Sequence, residues 1–304
     1  MKIVFMGTSD FSVQSLRALV NNGMTPCAVV SQPDKPRGRG YVMAPTPVKA
    51  YAQTLNTKVY TPKNATDGEL LAILDEINPD ISVVVAYGQI LPKEVLYRPK
   101  FGSVNVHASL LPMYRGAAPI NRVIMDGCKQ TGITTMYMDE GVDTGDMILT
   151  DETEIFQTDD FESLHNRLAD MGGKLLVQTL RDIESGTAPR IPQEGQTCYA
   201  QRIEKADCKI DFVDTVKNIV NKVRGLCPSP AAFCIYEGKK IKIYKAQDAL
   251  FDRDLVPGTV FCENDKLYVK ALDGLVEIQS LQVEGKKRMD AVSFLRGHHP
   301  EFFE

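Results

Sequence analysis

Three polar side chains near the middle of the chain have the types and spacing that acyl transfer requires. Asn105 and His107 stand two residues apart in a valine-containing run, so on an extended strand they point to the same face. A carboxamide can donate a hydrogen bond to a developing oxyanion, and an imidazole can move a proton near neutral pH. Thirty-six residues further on, Asp143 lies in a glycine-containing loop, where its carboxylate can orient His107 or hold a water. The sequence therefore predicts a catalytic site made of Asn105, His107 and Asp143.

The elements around these residues predict an α/β domain with a Rossmann-like, mostly parallel sheet. Short apolar runs, several of them rich in β-branched residues, predict strands at 2–7, 26–31, 58–60, 80–86, 102–106, 131–138 and 147–155. Helices are predicted at 9–23, 48–55, 67–77 and 158–185. Open α/β sheets bind their ligands at the carboxyl edge of the strands, and the loop at 87–92 is expected at that edge.

The turn after the first strand argues against a dinucleotide cofactor. It reads Gly-Thr-Ser-Asp-Phe-Ser from Gly7, with one glycine where the G-x-G-x-x-G fingerprint needs three. The bulky Phe11 is expected to obstruct the approach of a pyrophosphate. We therefore expect a nucleotide-binding type of scaffold without a nicotinamide.

The second half of the chain predicts a linker and a small barrel. Residues 187–202 have two prolines, one glycine and little periodicity, which is typical of a linker. An amphipathic helix is predicted at 211–224, and its inward-facing residues are Val213, Val216, Ile219, Val220 and Val223. Short strands separated by turn signals follow it, and one helix with about five strands suits a barrel of the OB type. We therefore expect a catalytic domain at 1–187, a linker at 188–205 and an OB-like domain at 206–304.

Composition and cysteine usage indicate an ordinary globular protein. The 304 residues are 43% hydrophobic and 24% charged, and no segment has eighteen uncharged apolar residues. The first predicted strand begins at once, which leaves no room for a signal peptide. The seven cysteines form no C-x-x-C pair, which predicts reduced thiols, and the four histidines show no zinc spacing. We therefore expect a cytoplasmic protein with no membrane segment and no metal.

The net charge of −4 hides an uneven distribution of charge. Residues 201–304 carry 17 Lys and Arg against 16 Asp and Glu, so the negative balance falls in residues 1–200. Within that acidic part, residues 31–50 hold four basic residues against one acidic residue, namely Lys35, Arg37, Arg39 and Lys49 against Asp34. The loop at 32–47 has four prolines and two glycines, which predicts an irregular conformation. Local basic clusters, rather than net charge, decide phosphate contacts, although a solvated loop is the simpler interpretation.

The stretch NVHASLLPMYRGAAPI, followed by TGITTMYMDEGVDTGD, resembles the formyltransferase family that uses 10-formyltetrahydrofolate. This resemblance implies that Asn105, His107 and Asp143 form the active site. It implies a folate-binding segment made of Ser109, Leu110, Leu111 and Pro112. It also implies that a second loop lies against the pterin, largely through backbone groups, and that loop is Tyr87, Gly88, Gln89 and Ile90. The continuation at 114–119 resembles the methionyl-tRNA branch of the family in particular, and the resemblance extends over essentially the whole chain.

The resemblance to that branch also implies a tRNA partner. The branch carries an insertion with a Gly-Arg-Gly core that reaches toward the tRNA acceptor end, and residues 38–40 match that core. The implied tRNA contacts are Arg39, as the key residue, with Lys35 and Arg37 beside it, and Lys286, Lys287 and Arg288 in the C-terminal barrel. The implied reaction moves the formyl group of the cosubstrate 10-formyltetrahydrofolate to the α-amino group of charged initiator methionyl-tRNA, for translation initiation. The resemblance implies no metal, no membrane and no stable protein partner.

Three alternatives stay open from the residues alone. An amino-sugar N-formyltransferase would share the catalytic residues and the folate segment, but it would have little use for the basic loop at 32–47. A formyltetrahydrofolate hydrolase would pass the formyl group to water and need no polynucleotide platform. A non-enzymatic RNA-binding scaffold would show no turnover and would leave Asn105, His107 and Asp143 without a purpose.

Overall fold

The computed structural model describes residues 1–37 and 42–304, with Arg37 described through its backbone alone. The described chain forms two compact units, and each unit draws on three segments. Unit 1 consists of Met1–Gly116, Thr131–Thr153 and His165–Tyr199, and unit 2 of Ala117–Gln130, Glu154–Leu164 and Ala200–Glu304. The predicted division at 187 and 205 assumed domains that are continuous in sequence, whereas both units are discontinuous.

Unit 1 is built on a seven-stranded sheet in the described part of the chain. The unit's strands are β1 (Ile3–Gly7), β2 (Ala28–Val30), β3 (Lys35–Arg37), β4 (Val42–Ala44), β5 (Lys58–Tyr60), β6 (Ile81–Val85), β7 (Ser103–His107), β8 (Gln130–Tyr137) and β9 (Met147–Glu154). The order in the sheet is β5-β2-β1-β6-β7-β8-β9. Pairing is parallel from β5 to β7 and antiparallel between β7 and β8. The predicted Rossmann-like, mostly parallel sheet is therefore confirmed.

Six helices lie among the described residues before Gly186. They are α1 (Asp10–Asn21), α2 (Pro47–Thr54), α3 (Glu69–Ile77), α4 (Lys93–Leu96), α5 (Pro119–Met125) and α6 (Phe161–Ser185). Capping hydrogen bonds mark where two of these helices begin. At the start of α2, the Thr46 hydroxyl accepts a hydrogen bond from the Lys49 N–H, and Pro47 occupies the first turn. At the start of α6, Asp160 and Ser163 each accept from the backbone N–H of the other. No described helix is both long and apolar enough to cross a membrane.

Two expectations about unit 1 were wrong in detail. The loop at 32–47 is not wholly irregular, because β3 and β4 pair as an antiparallel hairpin with Lys35 opposite Ala44. Phe11 does not stand over the first turn: its side chain is 6% exposed and packs edge-on against His165, with ring centroids 5.4 Å apart. An apolar ring in the first turn of an amphipathic helix is more stable in the core than over a loop.

Unit 2 contains an antiparallel sheet with helices packed on it. Together with α5, its elements are α7 (Val216–Leu226), β10 (Ala232–Tyr236), β11 (Lys239–Asp248), β12 (Val260–Glu263), β13 (Lys266–Lys270), β14 (Leu275–Val283), β15 (Met289–Asp290) and α8 (Ala291–Leu295). The order is β10-β11-β14-β13-β12, and β15 pairs with β14. A sheet of this kind leaves its first and last strands as edges.

Residues 301–304 join the two edges of this sheet. Ile235 in β10 and Glu304 exchange both backbone hydrogen bonds, at 2.8 and 2.9 Å. On the other edge, the Val260 N–H in β12 donates to the Glu301 carbonyl at 2.8 Å. Between them, the Phe303 side chain is 1% exposed and packs into the core. The predicted OB-like barrel is therefore confirmed, and these four residues close it.

The helix α7 begins five residues later than the sequence predicted. Asp211 and Asp214 accept from the backbone N–H groups of Val213 and Thr215, which satisfies these groups outside a helix. Thr215 then caps the helix by accepting from the Asn218 N–H at 3.2 Å. Consequently Val213 is 62% exposed, and its predicted inward position was wrong. The predicted inward positions of Val216, Ile219 and Val223 are confirmed, and Val220 is partly buried against the same core.

Candidate active site

The strand β7 presents Asn105 and His107 on the face that the sequence predicted. Val104 and Val106 are buried on the opposite face, and the antiparallel partner β8 places Met136 opposite Asn105 and Thr134 opposite His107. His107 is 5% exposed and Asn105 is half-buried. The alternation of a strand, with apolar residues on one face, is what makes the two polar side chains neighbours.

The loop after β8 brings Asp143 to both side chains. Asn105 Nδ2 donates to Asp143 Oδ1 at 3.2 Å, and His107 Nδ1 lies 3.5 Å from Asp143 Oδ2. The Gly116 N–H also donates to Asp143 Oδ2 at 2.8 Å. The structure therefore brings the three predicted residues together around one carboxylate, although their catalytic roles remain a prediction.

The contact that His107 Nε2 makes shows where one proton of the imidazole ring lies. His107 Nε2 lies 2.8 Å from the carbonyl oxygen of Tyr114. Because a carbonyl oxygen can only accept, Nε2 must carry a proton and donate it. Nδ1, the other ring nitrogen, faces the carboxylate of Asp143. The ring thus has an oriented donor on one side and an anion on the other, as a group that moves protons requires.

Two non-glycine residues beside the site have left-handed backbones. Asp143 has φ 54° and Tyr114 has φ 59°. This region is sparsely populated for residues with a side chain, and it persists where the surroundings hold it. Around Asp143, the Asp139 carboxylate accepts from the Gly141 N–H and from the Thr144 hydroxyl, at 3.0 and 2.6 Å. Side chains within the loop therefore help to hold its conformation.

The predicted folate segment is shaped by hydrogen bonds to Thr134 and within itself. The Ser109 side chain is fully buried, and its hydroxyl donates to the Met113 carbonyl at 2.6 Å. The Thr134 hydroxyl donates to the Ser109 carbonyl at 2.7 Å and accepts from the Leu111 N–H at 3.1 Å. Leu111 is buried, while Leu110 and Pro112 are half-buried. Among the four predicted residues, Leu110 and Pro112 thus keep the more accessible side chains.

In the second predicted folate loop, the Tyr87 side chain points into the core. It is 1% exposed, its hydroxyl has no hydrogen-bond partner among the described residues, and burial raises the pKa of Tyr87 to about 12. The Tyr87 carbonyl accepts from the Thr8 hydroxyl and the Gln32 amide, at 2.8 and 3.0 Å. Gly88 is exposed, with φ 84°. A ligand here would meet the backbone of this loop rather than the tyrosine ring.

Gln89 and Ile90 complete that loop in different ways. The Gln89 carboxamide accepts from the Ala65 N–H at 2.7 Å and donates to the Lys63 carbonyl at 3.1 Å. Its side chain therefore ties the loop to a neighbouring segment. Ile90, in contrast, is 78% exposed.

The predicted tRNA contacts are only partly described. Arg39 lies outside the described residues, and of Arg37 the backbone in β3 is described. Lys35 is exposed and donates to Gln32 Oε1 at 2.8 Å. Lys286, Lys287 and Arg288 are all exposed in unit 2. The Arg288 guanidinium lies 4.5 Å from the centroid of the Tyr244 ring and donates to the Ser280 hydroxyl.

The outer face of the barrel carries two lysines that were not among the predicted tRNA contacts. Along β11, Ile241 and Ile243 are fully buried, so Lys240 and Lys242 alternate outward with Tyr244. Lys240 Nζ lies 4.0 Å from the centroid of the Phe233 ring. We call this set the outer strip, made of Phe233, Lys240, Lys242, Tyr244 and Arg288. The period-two pattern of Ile and Lys at 240–243 was the sequence signal for it.

A cavity of about 490 Å³ in unit 1 lies away from these residues. It is lined by aromatic and basic side chains that include Tyr97, Lys100, Tyr137 and Arg190. The predicted catalytic residues are not part of its lining among the described residues. Hydrogen bonding and charge, rather than cavity volume, therefore mark the candidate site.

Two family models match this chain, one over most of the Rossmann-like unit and one over the barrel. Residues 1–180 match the family model described as Formyl transferase, and residues 202–299 match the one described as Formyl transferase, C-terminal domain. The chain belongs to the formyl transferase family.

Curated relatives are similar to the chain over nearly its whole length. The methionyl-tRNA formyltransferase of Pelotomaculum thermopropionicum is 45% identical over 301 residues, which cover 98% of this chain and 96% of the relative. The methionyl-tRNA formyltransferase of Syntrophus aciditrophicus is 46% identical over 298 residues, which cover 97% and 96%.

Solved structures of lower identity share the fold. WlaRD, a sugar 3N-formyl transferase crystallised with dTDP and 5-N-formyl-THF, has a TM-score of 0.68 at 21% identity, covering 94% of this chain and 99% of that one. HypX from Aquifex aeolicus, in complex with tetrahydrofolic acid, has a TM-score of 0.64 at 16% identity, covering 97% of this chain and 47% of that one. At these identities the likeness concerns the fold alone.

Proposed function

We propose that this protein transfers the formyl group of 10-formyltetrahydrofolate to the α-amino group of methionine on charged initiator tRNA, in the cytoplasm. The observation that carries the proposal is the full-length likeness to methionyl-tRNA formyltransferases, at 45% identity over 301 residues. The folate is a cosubstrate that supplies the formyl group, so the reaction itself requires no metal. The arrangement of Asn105, His107 and Asp143 supports the acyl-transfer chemistry.

The acceptor amine needs little activation. A peptide-like α-amine has a pKa of about 7.7–8.0, so a useful fraction is neutral near pH 7. The amine attacks the formyl carbon, the carbonyl oxygen gains negative charge, and the bond from that carbon to N10 of the folate then breaks. The proton lost by the amine ends on N10. The protein must therefore stabilise an oxyanion and move one proton.

We assign the oxyanion contact to Asn105. A carboxamide nitrogen has two protons, and the one directed at Asp143 Oδ1 leaves the other for the oxyanion. His107 either shares this contact or accepts the amine proton. Asp143, 3.5 Å from His107 Nδ1, holds the ring in orientation or relays a proton through water.

We assign tRNA backbone contacts to two basic regions. One is the sequence segment 32–47, which contains Lys35, Arg37 and Arg39, and the other is the outer strip with Lys286 and Lys287. Alternating lysines beside aromatic rings on a barrel face suit a phosphate backbone with accessible bases. These contacts predict that the Michaelis constant for tRNA rises steeply with ionic strength, because phosphate contacts release counterions.

A comparison of acceptors tests the proposed function. Labelled 10-formyltetrahydrofolate is offered with charged initiator tRNA, free methionine or an amino sugar in parallel reactions. We expect rapid transfer to the charged tRNA alone. Transfer to the amino sugar alone, or formyl release to water with no labelled tRNA, would contradict the proposal and favour one of the two alternative enzymes.

A further inference from the structure

The Gln193 carboxamide makes four hydrogen bonds beside the candidate site. Its nitrogen donates to the carbonyl oxygens of Asp143 and Gly145, at 2.9 and 2.8 Å. Its oxygen accepts from Nε and Nη2 of Arg115, at 3.0 and 2.8 Å. Gln193 lies in the segment that the sequence predicted to be a linker. All four contacts belong to unit 1, so this part of the segment packs on the catalytic unit.

The partners of Gln193 determine which way its amide faces. A guanidinium can only donate and a carbonyl oxygen can only accept. The amide oxygen must therefore face Arg115, and the NH₂ group must face Asp143 and Gly145. Both donor hydrogens and both acceptor lone pairs are used, and a side chain with every partner in place is held rigidly.

These contacts connect the two loops that meet at the Asp143 carboxylate. Gln193 holds the backbone carbonyl of Asp143, whose carboxylate accepts from Asn105 Nδ2 and from the Gly116 N–H. It also holds the side chain of Arg115, the residue before Gly116. The left-handed backbone of Asp143 needs such support, because it is unfavourable for a residue with a side chain.

We propose that Gln193 is a positioning residue for formyl transfer, one that clamps the Asp143 loop to the Arg115–Gly116 turn and keeps the Asp143 carboxylate aimed at Asn105 and His107. This inference rests on the proposed function. Gln193 acts through Asp143 and touches no reacting atom. Its loss should therefore lower turnover and leave the affinity for both substrates nearly unchanged.

The substitution Gln193→Glu keeps the contact with Arg115 but disrupts the contacts with the carbonyl oxygens of Asp143 and Gly145. The new carboxylate keeps the volume and keeps a partner for Arg115, but it places an oxygen against the carbonyl oxygens of Asp143 and Gly145. We expect kcat to fall about 10- to 100-fold, the range for a small misplacement of a reacting group, with both Michaelis constants within about threefold. Gln196→Glu is the matched control, because it makes the same change three residues later on an exposed side chain, and it should leave kcat unchanged.

A double variant tests whether Gln193 acts through Asp143. In an Asp143→Asn background, Gln193→Glu should lower kcat by less than about twofold, because residues that act as a unit are not additive. A merely structural role would lower the melting temperature without this loss of additivity. If Gln193→Glu fails to fold, the near-isosteric Gln193→Met takes its place with the same expectation.

The outcomes distinguish this inference from the function on which it rests. Wild-type protein that transfers no formyl group to charged tRNA would overturn the proposed function. If the wild-type protein is active but Gln193→Glu keeps kcat within twofold of it, the positioning role alone is overturned. The positioning role would also be overturned if the reductions in kcat caused by Gln193→Glu and by Asp143→Asn multiplied in the double variant.

Discussion

Replacing Asn105 by alanine removes the one carboxamide that β7 presents beside His107. In the proposed mechanism this residue supplies a hydrogen bond that strengthens as the oxyanion develops. Loss of such a donor costs about 2.7–4 kcal/mol of transition-state stabilisation, which corresponds to roughly a 10²- to 10³-fold lower kcat. The Michaelis constants should change little, because the contact forms mainly in the transition state.

The same substitution also removes a ground-state contact, and the two effects can be separated. Asn105 Nδ2 donates to Asp143 at 3.2 Å, and a hydrogen bond to a charged group contributes roughly 1.5–3 kcal/mol, with less expected for this half-buried side chain. A stability loss of this size lowers the melting temperature but leaves the folded fraction near one at 25 °C. Activity measured on folded protein therefore reports the catalytic effect.

Single-turnover transfer of labelled formyl to charged tRNA is the assay for Asn105→Ala. The control is Asn22→Ala, which also loses a carboxamide hydrogen bond, here to the Ala18 carbonyl, at an exposed position. We expect the control to keep wild-type turnover. If Asn105→Ala kept turnover within a factor of three, the oxyanion role of Asn105 would be refuted.

Three further predictions concern unit 2. Phe303→Ala should lower the free energy of unfolding by about 3–5 kcal/mol in denaturant titrations, because it leaves a cavity where residues 301–304 close the barrel. Phe302→Ala should lower it less, because that side chain is 48% exposed. Lys242→Ala should reduce the slope of log affinity for tRNA against log salt by about 1, and Lys58→Ala, in unit 1, should leave the slope unchanged. The Glu204 N–H and Arg122 lower the pKa of Asp207. Wild-type protein should therefore be more stable than Asp207→Asn above about pH 4, and it should lose that advantage as the pH falls through the lowered pKa of Asp207. Melting temperatures of the two proteins measured against pH test this prediction. An advantage that grew toward low pH would contradict the last prediction, and equal losses in Phe303→Ala and Phe302→Ala would contradict the first.

Local patterns were sufficient to predict the parts of the site that lie on regular elements. The alternation around Asn105 and His107 predicts a shared face, because side-chain direction in a strand follows from sequence parity. The β-branched run ending at Val85 and the apolar run ending at Gly7 likewise predict central strands, and both are fully buried. These features depend on neighbours in sequence.

Features that depend on distant partners were missed. Gln193 looked like part of a linker, because its partners lie 48 to 78 residues away and a Pro- and Gly-containing segment shows no periodicity. The closure of the barrel by residues 301–304 joins strands that are far apart in sequence, and no local signal marks it. Val213 was missed for a local reason: it fitted a helical pattern, but Asp211 and Asp214 accept from backbone N–H groups of this segment outside a helix. Propensity is overridden by such contacts.

The most direct test of the central claim is the rate of formyl transfer to charged initiator tRNA by wild-type protein and His107→Ala, with both substrates saturating. Saturation removes binding from the comparison, so the rate reports the chemistry at the Asn105, His107 and Asp143 site. We predict rapid formation of N-formylmethionyl-tRNA by the wild type and a loss of at least about 10²-fold in the variant, since proton transfer by a positioned side chain contributes roughly 10²–10⁴-fold. Equal rates in the two proteins would contradict the account, because the residue around which the site is built would then take no part in the reaction.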